Sequence, residues 1–267
     1  MTTDELLAHD RSGPTTGVPV VLIHAGVADR RMWDGLVPLL ADEHDVVRVD
    51  LRGFGESTTR PSDGWSITAD LLTTLDALGI ARAHLVGASM GAGVAVEVAL
   101  EHPGMVASLL LQAPGGSLIP RMTDDLRAFA VAENDALEAG DLDAAAQANV
   151  DHWLVGPGRS ADAVPADVRA LVHAMQKRAF ELTGDWDEIE EAEPDPEPLD
   201  RLHELDVPTL VLTGGHDLTA VGEAAAAVLA GVRGARHEHW DDVAHLPALE
   251  RPADVARLTK GWLASAS

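Results

Sequence analysis

The 267-residue chain contains no cysteine. That absence excludes disulfides, thiolate chemistry and cysteine-ligated zinc, and it is compatible with a reducing compartment. Lysine is nearly missing as well: Lys177 and Lys260 are the only two, and arginine supplies the remaining side-chain cations. No run of 18 uncharged apolar residues occurs, so no membrane-spanning helix is expected. The segment Met1-Thr2-Thr3-Asp4-Glu5 is acidic and lacks both the positive region and the apolar stretch of a secretion signal, which predicts a cytoplasmic protein. Positive charge is scarce throughout, with 19 Lys and Arg against 44 Asp and Glu and a formal net charge of −25. Such a surface repels phosphates and anionic lipid, so neither nucleic acid nor a membrane is an expected partner. A small neutral or apolar molecule fits better, and the 46% of hydrophobic residues suffices for a sizeable core.

What is present is organised around Ala83 to Glu101. His84-Leu85-Val86 suits a buried strand and Gly91 to Glu101, rich in Ala and Val, suits a buried helix. Between them Gly87-Ala88-Ser89-Met90-Gly91 matches G-x-S-x-G, a sharp strand-to-helix turn that projects a serine hydroxyl. Glycine-rich chains meet this pattern by chance, so the flanking strand and helix are what give it weight. Ser89 then stands at the positive end of a helix, beside the N–H of Met90, where an oxyanion is stabilised.

Along the rest of the chain strands and helices alternate, which predicts parallel strands. A weak strand candidate spans Leu6 to His9, followed by turns. Val18 to Ile23 reads as a strand buried on both faces and ending at His24-Ala25-Gly26, and a helix is expected from about Arg31 to Ala41. Asp45 to Asp50 is a strand, Ile67 to Leu78 a helix, and Val106 to Leu111 a strand. From 117 to 206 the β-branched runs disappear. Helical patterns follow at Asp124–Glu138, Asp141–Trp153, Pro165–Leu182 and Asp185–Glu191, read as an inserted helical cap. Glu190 to Pro198 reads as a solvated acidic linker, not a metal site, because its prolines spread the carboxylates along an extended chain. The sheet resumes at Val207–Thr213, then a helix at Ala220–Ala230, a strand at Ala235–Trp240 and a helix at Pro252–Leu263. The prediction is a mostly parallel, doubly wound α/β sheet, its core formed by 1–116 and 207–267 and its cap by 117–206.

Ligands of such sheets bind at the carboxyl ends of strands. A serine hydroxyl needs a base, and the base an orienting acid. Asp217 follows a strand through two glycines, and His245 lies in the loop after the last strand. The chain order is therefore Ser, Asp, His. Asp241 and Asp242 are weaker partners for His245, being too near along the same loop. His216 points away if Asp217 faces inward. The D-L-R-G-F-G-E-S loop at 50–57 reads as a structural turn.

His24-Ala25-Gly26, D-L-R-G-F-G-E-S, G-A-S-M-G at 87–91, G-G-H-D at 214–217 and A-H-L-P-A-L-E-R-P at 244–252 together resemble the α/β-hydrolase superfamily over nearly the whole chain apart from the cap. Within it, H-A-G-V-A-D-R-R-M-W-D resembles the start of enol-lactonase-like and small esterase-like members. The resemblance implies Ser89 as nucleophile, His245 as general base and then acid, and Asp217 as the carboxylate that fixes the imidazole. It implies an oxyanion hole from the N–H of Met90 and that of Gly26 or else Val27. The family's usual H-G pair is H-A here, with glycine one position later, and His24 braces the loop instead of moving protons. The expected activity is a cofactor-independent, metal-free serine hydrolase acting on an ester or lactone. The alternatives are a perhydrolase, thioesterase or C–C bond hydrolase on the same triad, or a receptor that only binds. Pocket candidates are Val27, Trp33, Met122, Phe129, Trp153, Met175, Phe180, Trp186 and Leu246, and the expected assembly is a monomer or homodimer.

Overall fold

The computed structural model describes residues 6–186, 189–192 and 194–266. Seven strands form one sheet: β1 (His9–Ser12), β2 (Val20–Ile23), β3 (Val46–Val49), β4 (Ala83–Ala88), β5 (Val106–Gln112), β6 (Thr209–Gly214) and β7 (Arg236–Trp240), in the order β1-β3-β2-β4-β5-β6-β7. Only β1 is antiparallel to its neighbour; every other pairing is parallel. The helices are α1 (Val37–Leu40), α2 (Ile67–Ala77), α3 (Met90–Glu101), α4 (Asp124–Glu138), α5 (Leu142–Asn149), α6 (Ala166–Thr183), α7 (Pro198–Arg201), α8 (Thr219–Gly231), α9 (Pro247–Glu250) and α10 (Pro252–Ser265). Among the described residues no helix is long and apolar enough to cross a membrane.

The continuous apolar strands follow from burial on both faces. Side chains alternate across each strand. Val20, Leu22, Leu110, Leu210 and Leu212 face one apolar cluster, closed by α10 through Val255 and Trp262. Val21, Ile23, Leu109, Leu111 and Val211 face the other, closed by α2, α3 and α8 through Leu71, Leu75, Ala95, Ala224 and Val228. Each such fully buried aliphatic side chain contributes about 1.5–3 kcal/mol. Strand register brings the carboxyl ends level: Ile23 lies beside Gly87, Ala88 beside Gln112, Gln112 beside Leu212, and Gly214 beside Trp240. The loops after β2, β4, β6 and β7 therefore leave one rim.

Three expectations need correction. The first strand is His9–Ser12, not Leu6–His9. As an edge strand it is held by ion pairs in place of an apolar pattern: Asp10 binds Arg30 and Arg48, and Arg11 binds Asp45. The helix expected over Arg31–Ala41 is two short pieces, a 3-10 turn at Arg30–Trp33 and α1. Gly35 separates them where the backbone passes Pro252, to which a Cβ would come within 3.1 Å. The helix expected over Asp141–Trp153 stops at Asn149 and widens into a π-helical turn at Val150–Val155.

The helix expected at Asp185–Glu191 falls partly outside the described residues, as does part of the acidic linker; the described Glu191 bridges to Trp65 instead of entering a helix. The acidic segment Met1–Glu5 lies outside them too. Between β5 and β6 the chain is helical. Phe129, Val150, Trp153, Leu154, Val172 and Met175 from this stretch share the apolar cluster of the sheet face. Leu202 and Leu205, near its end, are already buried in the opposite cluster with α2, α3 and α8.

Candidate active site

Ser89 is the N-cap of α3 at φ 51, ψ −116, a region costly for a side-chain-bearing residue, about 1–3 kcal/mol. The surroundings hold it there. Its N–H donates to the Gln112 carbonyl at 2.9 Å, and its own carbonyl accepts from Gly115 N at 3.1 Å. The glycines of the motif have steric reasons: a Cβ at Gly87 would lie 2.2 Å from the Gly91 carbonyl oxygen, and one at Gly91 would lie 2.4 Å from that of Ile23. Helix α3 thus approaches β2 and β4 more closely than any other residue permits.

Asp217 and His245 meet at the same rim. The Nδ1–H of His245 donates to the Asp217 carboxylate, with distances of 3.0 and 2.8 Å to its two oxygens, and both side chains are buried. The bond to a carboxylate fixes the Nδ1–H tautomer and leaves Nε2 with its lone pair. Asp217 also accepts from Leu218 N at 2.8 Å. Paired glycines before Asp217 let the loop after β7 close over it: a Cβ at Gly214 or Gly215 would come within 2.5 Å of the carbonyl of Ala244 or Asp241.

The segment between β5 and β6 completes this side. Trp153 lies against the His245 ring, centroids 4.5 Å apart, and its carbonyl accepts from His245 N at 3.2 Å. Arg159 and Glu250 form a buried ion pair, and Glu250 also accepts from Ala244 N at 2.7 Å. No hydrogen bond joins Ser89 Oγ to His245 among the described residues.

A cavity of about 400 Å³ opens over Ser89. Of the pocket candidates, Val27, Phe129, Trp153 and Phe180 line it. Trp33, Met175 and Leu246 do not: they are buried in the core beneath, where packing absorbs them. Met122 is exposed at 49%, and Trp186 stands over Gly53, a Cβ of which would come within 3.1 Å of its ring. Gly26 also lines the cavity, and Met90 begins α3. Neither Gly26, Val27 nor Met90 spends its N–H on a hydrogen bond among the described residues.

Sequence reasoning missed Ile119, Leu126, Glu133, Asn149, Gln176 and Val221 in the cavity wall. Gln176 carried a usable signal. It falls on the apolar stripe Val172, Met175, Ala179 of α6, where a polar side chain has no structural reason to be. Burial pushes the Glu133 carboxyl above its ordinary value, while the hydrogen bond from Asn149 acts the other way.

The other histidines and acids fall into place around this site. His24 is fully buried: its Nε2 accepts from Leu51 N at 2.9 Å and its Nδ1 donates to the Ala25 carbonyl at 2.8 Å. Burial depresses its basicity, so it is a neutral brace between two loops of the rim. His216 Nδ1 turns to the Pro157 carbonyl. Asp241 and Asp242 pair with His239 and Arg251, not with His245. In the 50–57 loop Asp50 binds Arg30 and the amide of Glu56, and Arg52 binds Asp70.

With this geometry in hand, the sequence profile of the alpha/beta hydrolase fold matches residues 18–152, half of the chain. The chain belongs to the alpha/beta hydrolase family. Among curated relatives, it is 42% identical over 106 residues to the dihydrolipoyllysine-residue acetyltransferase component of an acetoin cleaving system from Pseudomonas putida, covering 39% of this chain and 29% of that one. It is 43% identical over 95 residues to the pimeloyl-[acyl-carrier protein] methyl ester esterase of Methylococcus capsulatus, covering 36% of each. The matches thus span only about a third of these relatives' lengths. Among solved structures, a thermophilic esterase from Thermogutta terrifontis superposes with a TM-score of 0.77 at 27% identity, over 97% of this chain and 93% of that one.

Proposed function

We propose that this alpha/beta hydrolase cleaves a carboxylic ester or lactone of modest size through an acyl-enzyme formed on Ser89. The observation that carries the reading is the His245–Asp217 pair, fixed in the tautomer that leaves Nε2 its lone pair and lying against Trp153, a wall residue of the cavity that opens over a strained, half-buried serine. Ser89 Oγ attacks the carbonyl carbon while Nε2 takes its proton. The oxyanion is held by the N–H of Met90 and that of Gly26 or Val27. The protonated imidazole, stabilised by Asp217, donates its proton to the departing alcohol as the C–O bond breaks. Water, deprotonated by the same nitrogen, then releases the acid and restores Ser89. Hydrogen bonds of the Ser–His kind commonly tighten only with substrate bound. The segment 117–206 serves as the cap, giving the cavity its apolar walls of Ile119, Leu126, Phe129 and Phe180.

A receptor that only binds has no use for a strained serine beside a buried His–Asp pair. The test is turnover of short p-nitrophenyl esters. Ser89→Ala and His245→Ala should each lower kcat by about 10⁴-fold or more. Wild-type rates in the Ser89→Ala protein would discard the nucleophile.

A further inference from the structure

The cavity wall carries one feature that ester hydrolysis does not require. Within a lining that is otherwise apolar apart from Ser89, three polar side chains gather from three helices: Glu133 of α4, Asn149 of α5 and Gln176 of α6. Asn149 spends its amide hydrogens on Glu133 and on the Ala145 carbonyl. Glu133 receives only that neutral donor, and among the described residues no arginine, lysine or histidine pairs with it. Gln176 is 6% exposed and its Oε1 has no hydrogen-bond partner.

Leaving a buried acceptor unmet and a carboxylate unpaired is costly, and proteins normally satisfy both. The missing partner has a definite chemistry. It must donate several hydrogen bonds to oxygen acceptors, it is favoured by a positive charge, and it must enter through the cavity. No cationic side chain lines the wall to bind a substrate carboxylate. The rings of Phe129, Trp153 and Phe180 in the same wall suit a desolvated ammonium. The net charge of −25 draws cations toward the protein.

We propose that the cavity selects esters whose otherwise apolar chain carries a protonated amine, bound by the Glu133 carboxylate with the side-chain oxygens of Asn149 and Gln176. The inference rests on Ser89 being the nucleophile at that cavity.

The experiment compares kcat/KM for isosteric pairs: p-nitrophenyl 6-aminohexanoate against heptanoate, with the amine on the acyl side, and 5-aminopentyl against hexyl butanoate, with it on the alcohol side. The amine is expected to be preferred about tenfold or more in at least one pair, and the preference to fall to about one in Glu133→Gln, while turnover of the neutral ester stays within about threefold. That neutral ester also shows that the variant is folded. Preference in neither pair, preference that survives Glu133→Gln, or an equal preference for 6-hydroxyhexanoate would overturn the proposal. Calorimetry on Ser89→Ala reads the subsite without turnover. Hexylammonium should bind more tightly than hexanol and lose that advantage when Glu133→Gln is added, whereas equal binding of the two overturns the proposal. If the neutral esters are not cleaved yet hexylammonium still binds through Glu133, the hydrolase reading fails and the subsite stands.

Discussion

Ser89 and His245 stand on the same rim but are held by different means. Ser89 is fixed by its own pentapeptide: two glycines let α3 close on β2 and β4, and backbone bonds to Gln112 and Gly115 hold the strained turn. His245 is fixed by distant chain. Its ring lies on Trp153, its N–H reaches the Trp153 carbonyl, and its loop is tied down by Glu250 through Arg159. Ser89 is held by the sheet and the turns that leave it, while His245 depends on the segment between β5 and β6. Perturbing that segment should therefore disturb His245 and spare the turn that holds Ser89.

The largest effect is expected on the sheet side. Gly91→Ala drives a Cβ to 2.4 Å from the Ile23 carbonyl oxygen, a backbone clash that no rotamer relieves. We expect a loss of about 3 kcal/mol or more, at the upper end for overpacking, measured by denaturant unfolding. Gly222→Ala in α8 is the control. Nothing lies within 4 Å of its Cβ, and it should stabilise by about 0.4–1 kcal/mol. Equal effects of the two would dissolve the steric account.

Next comes the base side. Arg159→Gln removes the cation from buried Glu250, but glutamine keeps a donor and Glu250 keeps the Ala244 N–H, so the cost should stay at or below about 3 kcal/mol, the low end for a broken buried pair. Ester turnover should fall with it, while the elbow, which touches neither residue, stays intact. Amide exchange at 242–246 would rise and that at 87–92 would not. Uniform loss of protection in both would refute the division of labour.

The smallest effect concerns the tie between the two regions. Asp125 in α4 accepts from Thr219 N at the start of α8 and from the Thr123 hydroxyl, and these bonds outweigh burial to hold its carboxyl at about 2. Its pKa is lowered on folding, so its contribution is present above the ordinary carboxylate value near 4 and is lost as pH falls toward about 2. The difference in thermal midpoint between the wild type and Asp125→Asn should be constant at neutral pH, shrink below pH about 4 and vanish below about 2. A difference independent of pH would show that the carboxylate is not what ties α4 to α8.

The same contrast explains what could be read in the sequence. G-A-S-M-G and G-G-H-D are short segments in which close backbone approach demands glycine near Ser89 and Asp217, so both are legible without tertiary information; the His245 loop carries no glycine and is legible only from its place after the last strand. The cavity wall is not. Trp33 and Leu246 look like Phe129 and Phe180 in sequence, since large apolar residues at helical spacing serve core and pocket alike. Edge strand β1, expected at Leu6–His9, lies at His9–Ser12 because ion pairs to Arg30, Arg48 and Asp45 replace an apolar pattern there. At the break, Gly35 packs close to Pro252, more than two hundred residues away, a contact that local sequence does not reveal.

Peptide mass mapping after brief exposure to a fluorophosphonate tests the central claim most directly. The wild type should carry a single adduct on Ser89, formed far more slowly in His245→Ala and not at all in Ser89→Ala. An adduct on another side chain, or one that forms on Ser89 equally fast without the imidazole, would contradict the account.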